Sequence, residues 1–349
     1  MQNNYNMEPR IIKYAEAIKE ATKQILESDK TAFLMGLGVP QGAAGTVVGL
    51  KELFPTQVLD TPTSEAALTG LAVGAAISGL RPMVYHERVE FSLLASDAIF
   101  TQAAKWNYMF GGNNPVPVVL RIAVGRQWGN GPQHSQALYG LFGAVRGLKV
   151  VIPSTPHMMK GLLISAIRDN NPVVILEPRW LYQVKGHVPT EMFTEPLDRA
   201  RVVKEGTDLT VVAYGDGFVD TLAALKLLPE DISVEMIDLV SINPIDHQTI
   251  AKSVEKTGRL LCVDSTNSAF SIGSEIIAKV AQNPVGLTQA PVGVAAPDVP
   301  VPTSPALSEF WYPTKIDIAN AILKMFGKPE LDIKLPFEEL HLAPTTTLE

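Results

Sequence analysis

Cysteine is nearly absent: Cys262 is the single one among 349 residues. That excludes an intrachain disulfide and any zinc site built on several thiolates. Leu260, Leu261 and Val263 around it read as a buried strand carrying an inert structural thiol. Positive charge is also in deficit. The 29 Lys and Arg against 36 Asp and Glu leave a formal charge of −7, the wrong sign for a nucleic-acid-binding face. No membrane-length apolar run exists. The longest stretch without charge or strong polarity, Ala66–Leu80, has fifteen residues, short of the ~20 needed to cross a bilayer. No secretory signal is expected either, because the first thirty residues are charged and helical in pattern. No internal repeat is visible. With 46% hydrophobic and 19% charged residues, the chain can bury ample core and is not globally disordered. At ~150 residues per domain, a soluble, cytoplasmic protein of two α/β units is expected.

Ile11, Tyr14, Ala15, Ile18, Ala21 and Ile25 recur at helical spacing, which predicts an amphipathic N-terminal helix. Short apolar strands follow at Ala32–Met35, Gln57–Leu59, Pro82–Tyr85, Val116–Ile122, Lys149–Ile152 and Pro172–Leu176. Helical patterns over Ser64–Ser78, Ser92–Tyr108 and His157–Arg168 lie between them. Short unalternating strands interleaved with helices indicate parallel sheets covered on both faces. The periodicity breaks over Lys185–Leu197, read as a linker of about 186–200. Domains are therefore expected over 1–185 and 201–330, with a surface tail over 331–349 whose closing Leu348-Glu349 carries no structural expectation. In the second unit, strands are predicted at Thr210–Tyr214, Ser233–Leu239, Arg259–Asp264 and Val285–Gly293. Its helices are predicted at Phe218–Leu228, His247–Lys256, Ile272–Ala281 and Thr314–Phe326. Five prolines in Pro291–Pro305 predict a stiff irregular connection.

Three strings could carry chemistry. Gly215-Asp216-Gly217, with Asn243 following Asp216 by 27 residues, has the nominal spacing of a metal–diphosphate signature. Asn243 sits before Pro244 with no second polar ligand beside it, and Mg²⁺ wants several oxygens. A tight strand-to-helix turn is the better account, and no metal ligand is assigned. The second string, Asp60-Thr61-Pro62-Thr63-Ser64-Glu65, opens the small-residue helix, which Thr63 or Ser64 can cap. Glu65 there either answers the helix dipole or is a poorly solvated carboxylate suited to sharing a proton. The third is Gly131-Pro132-Gln133-His134-Ser135-Gln136, in a glycine-rich loop after a strand, where α/β sheets bind ligands. His134 reads there as functional or as a capping neighbour. It forms no hydrolase pair with Ser135, because no strand–elbow–helix context surrounds them.

Two runs, Val58–Glu65 and Val73–Pro82, resemble the β subunits of 2-oxo acid dehydrogenase E1 components. Gln102–Lys105, Gln133–Gln136, Gly147–Val151, Pro153–Pro156, Ile237–Leu239, Lys256–Arg259 and Asp298–Pro302 are similar to that family as well. The resemblance spans about residues 8–326. It implies a thiamine-diphosphate pyrimidine domain followed by a transketolase C-terminal domain. It implies that Glu65 hydrogen-bonds N1′ of the cofactor and that Phe91 packs on its aminopyrimidine ring, with Glu87 beside it. It implies too that His134, with Gln133, handles the substrate and acyl transfer. Diphosphate and Mg²⁺ would be held by a separate α subunit in an α₂β₂ heterotetramer, with a lipoyl acyltransferase as the possible acceptor.

The sequence departs from the family at two places. Leu37-Gly38 stands where an acidic pair is usual, and Tyr85 where Glu is common. The following His86-Glu87-Arg88 reads as a solvated loop, or as a polar mouth in which His86 and Arg88 tolerate an anionic or hydroxylated substrate. The expected activity is decarboxylation of a 2-oxo acid with transfer of its acyl group. The alternative is a two-component transketolase-like or acyloin-forming enzyme without a lipoyl partner. A third reading is a scaffold subunit without catalysis.

Overall fold

In the computed structural model, residues 10–126, 129–284 and 286–348 are described. Residues 8 and 9 at the start of the resemblance, Val285 at the start of one predicted strand, and Glu349 lie outside them. The first half runs β1 (Ile11–Lys13), α1 (Tyr14–Ser28), β2 (Ala32–Gly36), α2 (Leu50–Leu53), β3 (Val58–Asp60), α3 (Glu65–Ile77) and β4 (Arg81–His86). It continues with α4 (Val89–Ser92), α5 (Ala104–Met109), β5 (Val119–Val124), α6 (Tyr139–Gly143), β6 (Lys149–Val151), α7 (Pro156–Arg168), β7 (Val173–Pro178) and β8 (Lys185–His187). The second half runs β9 (Arg201–Lys204), β10 (Leu209–Ala213), α8 (Gly215–Leu225), β11 (Val234–Asp238), β12 (Ser241–Asn243), α9 (His247–Thr257) and β13 (Leu260–Asn267). It closes with α10 (Ile272–Gln282), β14 (Val292–Ala296), α11 (Pro305–Ser308), α12 (Lys315–Met325), α13 (Phe337–His341) and β15 (Thr347–Leu348).

Seven strands form the first sheet in the order β12-β6-β7-β5-β4-β2-β3, and five form the second in the order β14-β13-β10-β11-β9. Every residue of β5 and β7 is buried, which is why these strands read as largely apolar segments without alternation, each interrupted by one charged residue, Arg121 and Glu177, that pair with each other. The sheets are not purely parallel, as predicted, but parallel-rich: β12 runs antiparallel to β6, and β9 antiparallel to β11. Since β12 comes from the second half and completes the first sheet, the two units share a sheet edge.

Several elements depart from the sequence reading for local reasons. Ile11 is not on the N-terminal helix. It lies in β1, paired with His187 of β8, and the helix begins at Tyr14. The linker therefore opens as a strand, and its next residues are held down: Lys160 Nζ donates to the carbonyls of Pro189 (2.6 Å) and Thr190 (3.0 Å). The predicted helix Ser92–Tyr108 is broken into α4, a 3₁₀ turn at Leu93–Ala95, a π-helical stretch at Asp97–Ala103, and α5. Hydroxyls of Ser92, Ser96 and Thr101 bond back to the carbonyls of Val89, Leu93 and Asp97, and such back-bonding bends helices. The stretch Pro291–Pro305 is not wholly irregular. Residues 292–296 contain no proline, and they form β14 against β13. The tail is not loose, since β15 pairs with β8. Cys262 is buried in β13, and burial pushes its thiol up, as an inert cysteine requires.

Candidate active site

The carboxyl ends of β2, β3, β4 and β5 open side by side on one sheet edge, the usual ligand edge of such sheets. At the end of β2, Leu37 is exposed and the Gly38 amide donates to Asp60 Oδ1 at 3.2 Å. Asp60, at the end of β3, also accepts from the Thr61 amide. Ser64 then occupies the N-cap of α3, but its hydroxyl does not cap the helix, and neither does Thr63 among the described residues. Glu65 follows as the first helical residue, half-buried. Among the described residues its carboxylate takes no hydrogen bond or ion pair. Ala66 and Ala67 beside it are exposed. Any further desolvation must come from whatever covers this face.

The 86–88 segment does not form the polar mouth that the sequence suggested. His86 is 2% exposed, with Nε2 3.1 Å from Thr69 Oγ1. Burial pushes its pKa down to about 4, so it is neutral at pH 7 and holds no anion. Glu87 is exposed; among the described residues it takes no hydrogen bond or ion pair, and its charge acts on Arg88 and Tyr85. Arg88 is buried, and its Nη1 donates to the carbonyl of His134 at 2.6 Å. Desolvation lowers its pKa. The residue is committed to the loop rather than to solvent.

The structure does bring Phe91 and His134 together. Their rings meet edge to face, with centroids 5.5 Å apart and planes at 86°. Both are half-buried, while Gln133 is exposed. Two features shape the loop. Gly131 has φ +72°, and a Cβ there would fall 2.3 Å from Thr303 Oγ1, so the close approach requires glycine. The Gln136 amide donates to Glu90 Oε1 at 2.7 Å. Glu90 and Thr69 were not singled out from the sequence. Glu90 precedes Phe91 and could have been marked by that adjacency, but nothing in the sequence reveals its partner across the loop.

Behind this loop lies a cavity of about 700 Å³, bounded by Ser135–Leu141 of the first unit and by Asp216, Ser265–Asn267, Val299–Val301 and Trp311 of the second. Glu65, Phe91 and His134 do not line it. Arg126 stands at its edge, 3.4 Å from Asp220 Oδ2 and stacked between the rings of Trp180 (4.1 Å) and Tyr312 (5.0 Å). The Gly215–Gly217 string is the turn from β10 into α8, with Gly215 at φ +56°. Asp216 accepts from Ser265 Oγ at 2.8 Å, and the Asn243 amide donates to the Val145 carbonyl at 2.9 Å. The two side chains are thus engaged in separate contacts.

Comparison with known proteins bears on this arrangement. Residues 10–185 match the family described as "Transketolase, pyrimidine binding domain", and residues 198–318 match "Transketolase, C-terminal domain". A relative from Bacillus subtilis (strain 168), "Acetoin:2,6-dichlorophenolindophenol oxidoreductase subunit beta", is 39% identical over 93% of this chain and 99% of its own. The "Pyruvate dehydrogenase E1 component subunit beta" of Acholeplasma laidlawii is 40% identical over 90% of this chain and 98% of its own. A solved structure titled "Split gene transketolase, inactive beta4 tetramer" superposes with a TM-score of 0.72 at 22% identity. It covers 90% of this chain and 98% of its own, and shows the same fold. With both domains matched in order and relatives near 40% identity over almost the whole chain, this protein belongs to the thiamine-diphosphate-dependent, transketolase-like family of 2-oxo acid dehydrogenase E1 β subunits.

Proposed function

We propose that this chain is the β half of a two-component enzyme that decarboxylates a 2-oxo acid and passes on the acyl group, completed by an α subunit in an α₂β₂ assembly. One observation carries the reading. The Glu65 carboxylate, without a hydrogen-bond or ion-pair partner among the described residues, stands on the same strand-end edge as the Phe91–His134 pair. This donor set fits the aminopyrimidine end of thiamine diphosphate: a carboxylate acceptor, an aromatic face and an imidazole. When bound, that cofactor supplies the electron sink for breaking the bond beside a carbonyl. Glu65 would hold a proton at N1′ of the ring, Phe91 would pack on the ring, and Glu87 is the exposed neighbour in reach of that edge. His134 would give or take a proton at the substrate's carbonyl oxygen, with Gln133 beside it.

Mg²⁺ and the diphosphate are assigned to the α partner, since Asp216 is committed to Ser265 and Asn243 to Val145. The unpartnered face of α3 supports an assembly: Leu71 is 60% exposed, and Gly70 and Gly74 face open space, which lets another backbone approach closely. A lipoyl acyltransferase is the proposed acceptor. Among the described residues no helix is long and apolar enough to cross a membrane, and a cytoplasmic location is proposed. The carboligase alternative loses its main support, because His86 is buried and Arg88 is committed to His134.

The test is to purify the chain with its α partner and supply thiamine diphosphate, Mg²⁺ and pyruvate. Bleaching of 2,6-dichlorophenolindophenol reports turnover. Glu65→Gln is expected to lower kcat by about 100-fold or more while leaving the assembly intact. An equally active variant, or turnover of ketose donors with none of 2-oxo acids, would overturn the proposal.

A further inference from the structure

We infer that Glu90 is a positioning residue for His134, acting with Arg88 as a clamp on the loop that carries it. The inference rests on the role proposed for His134. Between β4 and the end of α4, three residues grip three different parts of one loop. Arg88 Nη1 donates to the His134 carbonyl at 2.6 Å, Glu90 Oε1 accepts from the Gln136 amide at 2.7 Å, and the Phe91 ring meets the His134 imidazole edge to face. The loop is also closed on itself: the His134 amide donates to the Gly131 carbonyl (3.2 Å), and the Gly125 amide to the Gln136 carbonyl (2.9 Å). Residue 136 is therefore tied through its amide to α4 and through its carbonyl to the outlet of β5. His134 lies two residues before this double anchor.

The geometry is costly in a telling way. Glu90 Oε2 is out of contact with water and has no hydrogen-bond partner among the described residues. A carboxylate oxygen buried in that state lowers stability, so stability alone does not account for it. Hydrogen bonds to charged groups are about twice as strong as neutral ones. Here one cation and one anion, two residues apart, fix the carbonyl at 134 and the amide at 136. Together they set the height and tilt of the imidazole between them. Displacing a catalytic group by about 1 Å costs roughly 100-fold in rate, and this is the effect that loss of the clamp produces.

Glu90→Ala removes the acceptor for the Gln136 amide; Glu90→Gln keeps an oxygen in its place. In the reconstituted α-plus-β enzyme, Glu90→Ala should lower kcat by about 10- to 100-fold while moving the KM of the 2-oxo acid less than about threefold. Glu90→Gln should recover most of the lost kcat. A second measurement needs no turnover: amide hydrogen exchange on the full chain. Exchange at the Gln136 amide should rise at least about tenfold in Glu90→Ala but not in Glu90→Gln, with β7 amides unchanged. The clamp is overturned if Glu90→Ala keeps its kcat, if Glu90→Gln is as impaired as Glu90→Ala, or if exchange at Gln136 does not change. A wild-type enzyme with no turnover would sink the proposed reaction instead, and exchange then decides the clamp by itself.

Discussion

Beneath the candidate site, Arg121 of β5 and Glu177 of β7 form an ion pair with both side chains fully buried. Arg121 Nε lies 2.6 Å from Glu177 Oε1, and its Nη2 lies 3.2 Å from Glu177 Oε2 and 3.2 Å from Thr46 Oγ1. The Tyr182 hydroxyl donates to Glu177 Oε2 at 3.1 Å. Burial in a low-dielectric interior makes each charge dependent on the other. Removing one partner strands the other, at a cost of about 3–5 kcal/mol. Arg121→Met and Glu177→Leu should each incur that cost, which corresponds to a fall in Tm of roughly 6–20 °C at about 2–4 °C per kcal/mol. The double variant strands no charge. It loses the Tyr182 and Thr46 hydrogen bonds, at about 1 kcal/mol each, and the contact of the Arg121 guanidinium with the Tyr85 ring. The singles sum to about 6–10 kcal/mol, so a coupling of roughly 4 kcal/mol or more is expected. Urea denaturation of the full chain at pH 7, followed by near-ultraviolet circular dichroism, measures all four corners of the cycle. A double variant that loses as much as the singles combined would refute the reasoning.

Two further outcomes are expected. Asp238 is fully buried, accepts from Ser154 Oγ at 2.8 Å, and burial raises its pKa from 3.8 to about 6. A carboxyl pKa raised on folding favours the protonated native state. This contribution is therefore complete below about pH 4, fades as pH rises to about 6, and is flat above. At about 1.4 kcal/mol per pKa unit, the stability of Asp238→Asn relative to wild type should rise by about 2.5 kcal/mol between pH 4 and pH 7. A pH-independent difference between their urea midpoints would contradict this. Gly147 has φ +98°, and a Cβ there would lie 1.9 Å from the Ala104 carbonyl oxygen. Gly147→Ala should destabilise by about 3 kcal/mol or more, read as a lowered Tm; an unchanged Tm would show that the neighbouring turn yields freely.

Residues close in the chain were legible where one physical signal acted alone. The non-alternating, mostly apolar residues of β5 and β7 announced buried parallel strands, although each carries one charged residue. Glu65 stood out because it heads a helix built of small uncharged residues, and Phe91 and His134 because their strings match a family. The 92–108 segment misled, because hydroxyls competing for helix carbonyls leave no trace in apolar spacing. His86 and Arg88 misled for a related reason: a polar side chain in the sequence carries no sign of which way it will face.

Composition, periodicity and motif strings by themselves determined the two α/β units, the family, and the three residue types at the sheet edge. The tertiary structure alone decided that β12 crosses to the first sheet, that the tail returns to β8, and that the His134 loop is gripped by Arg88 and Glu90. Each of these depends on contacts between segments far apart in the chain, and their free energy depends on burial and geometry that exist only after folding.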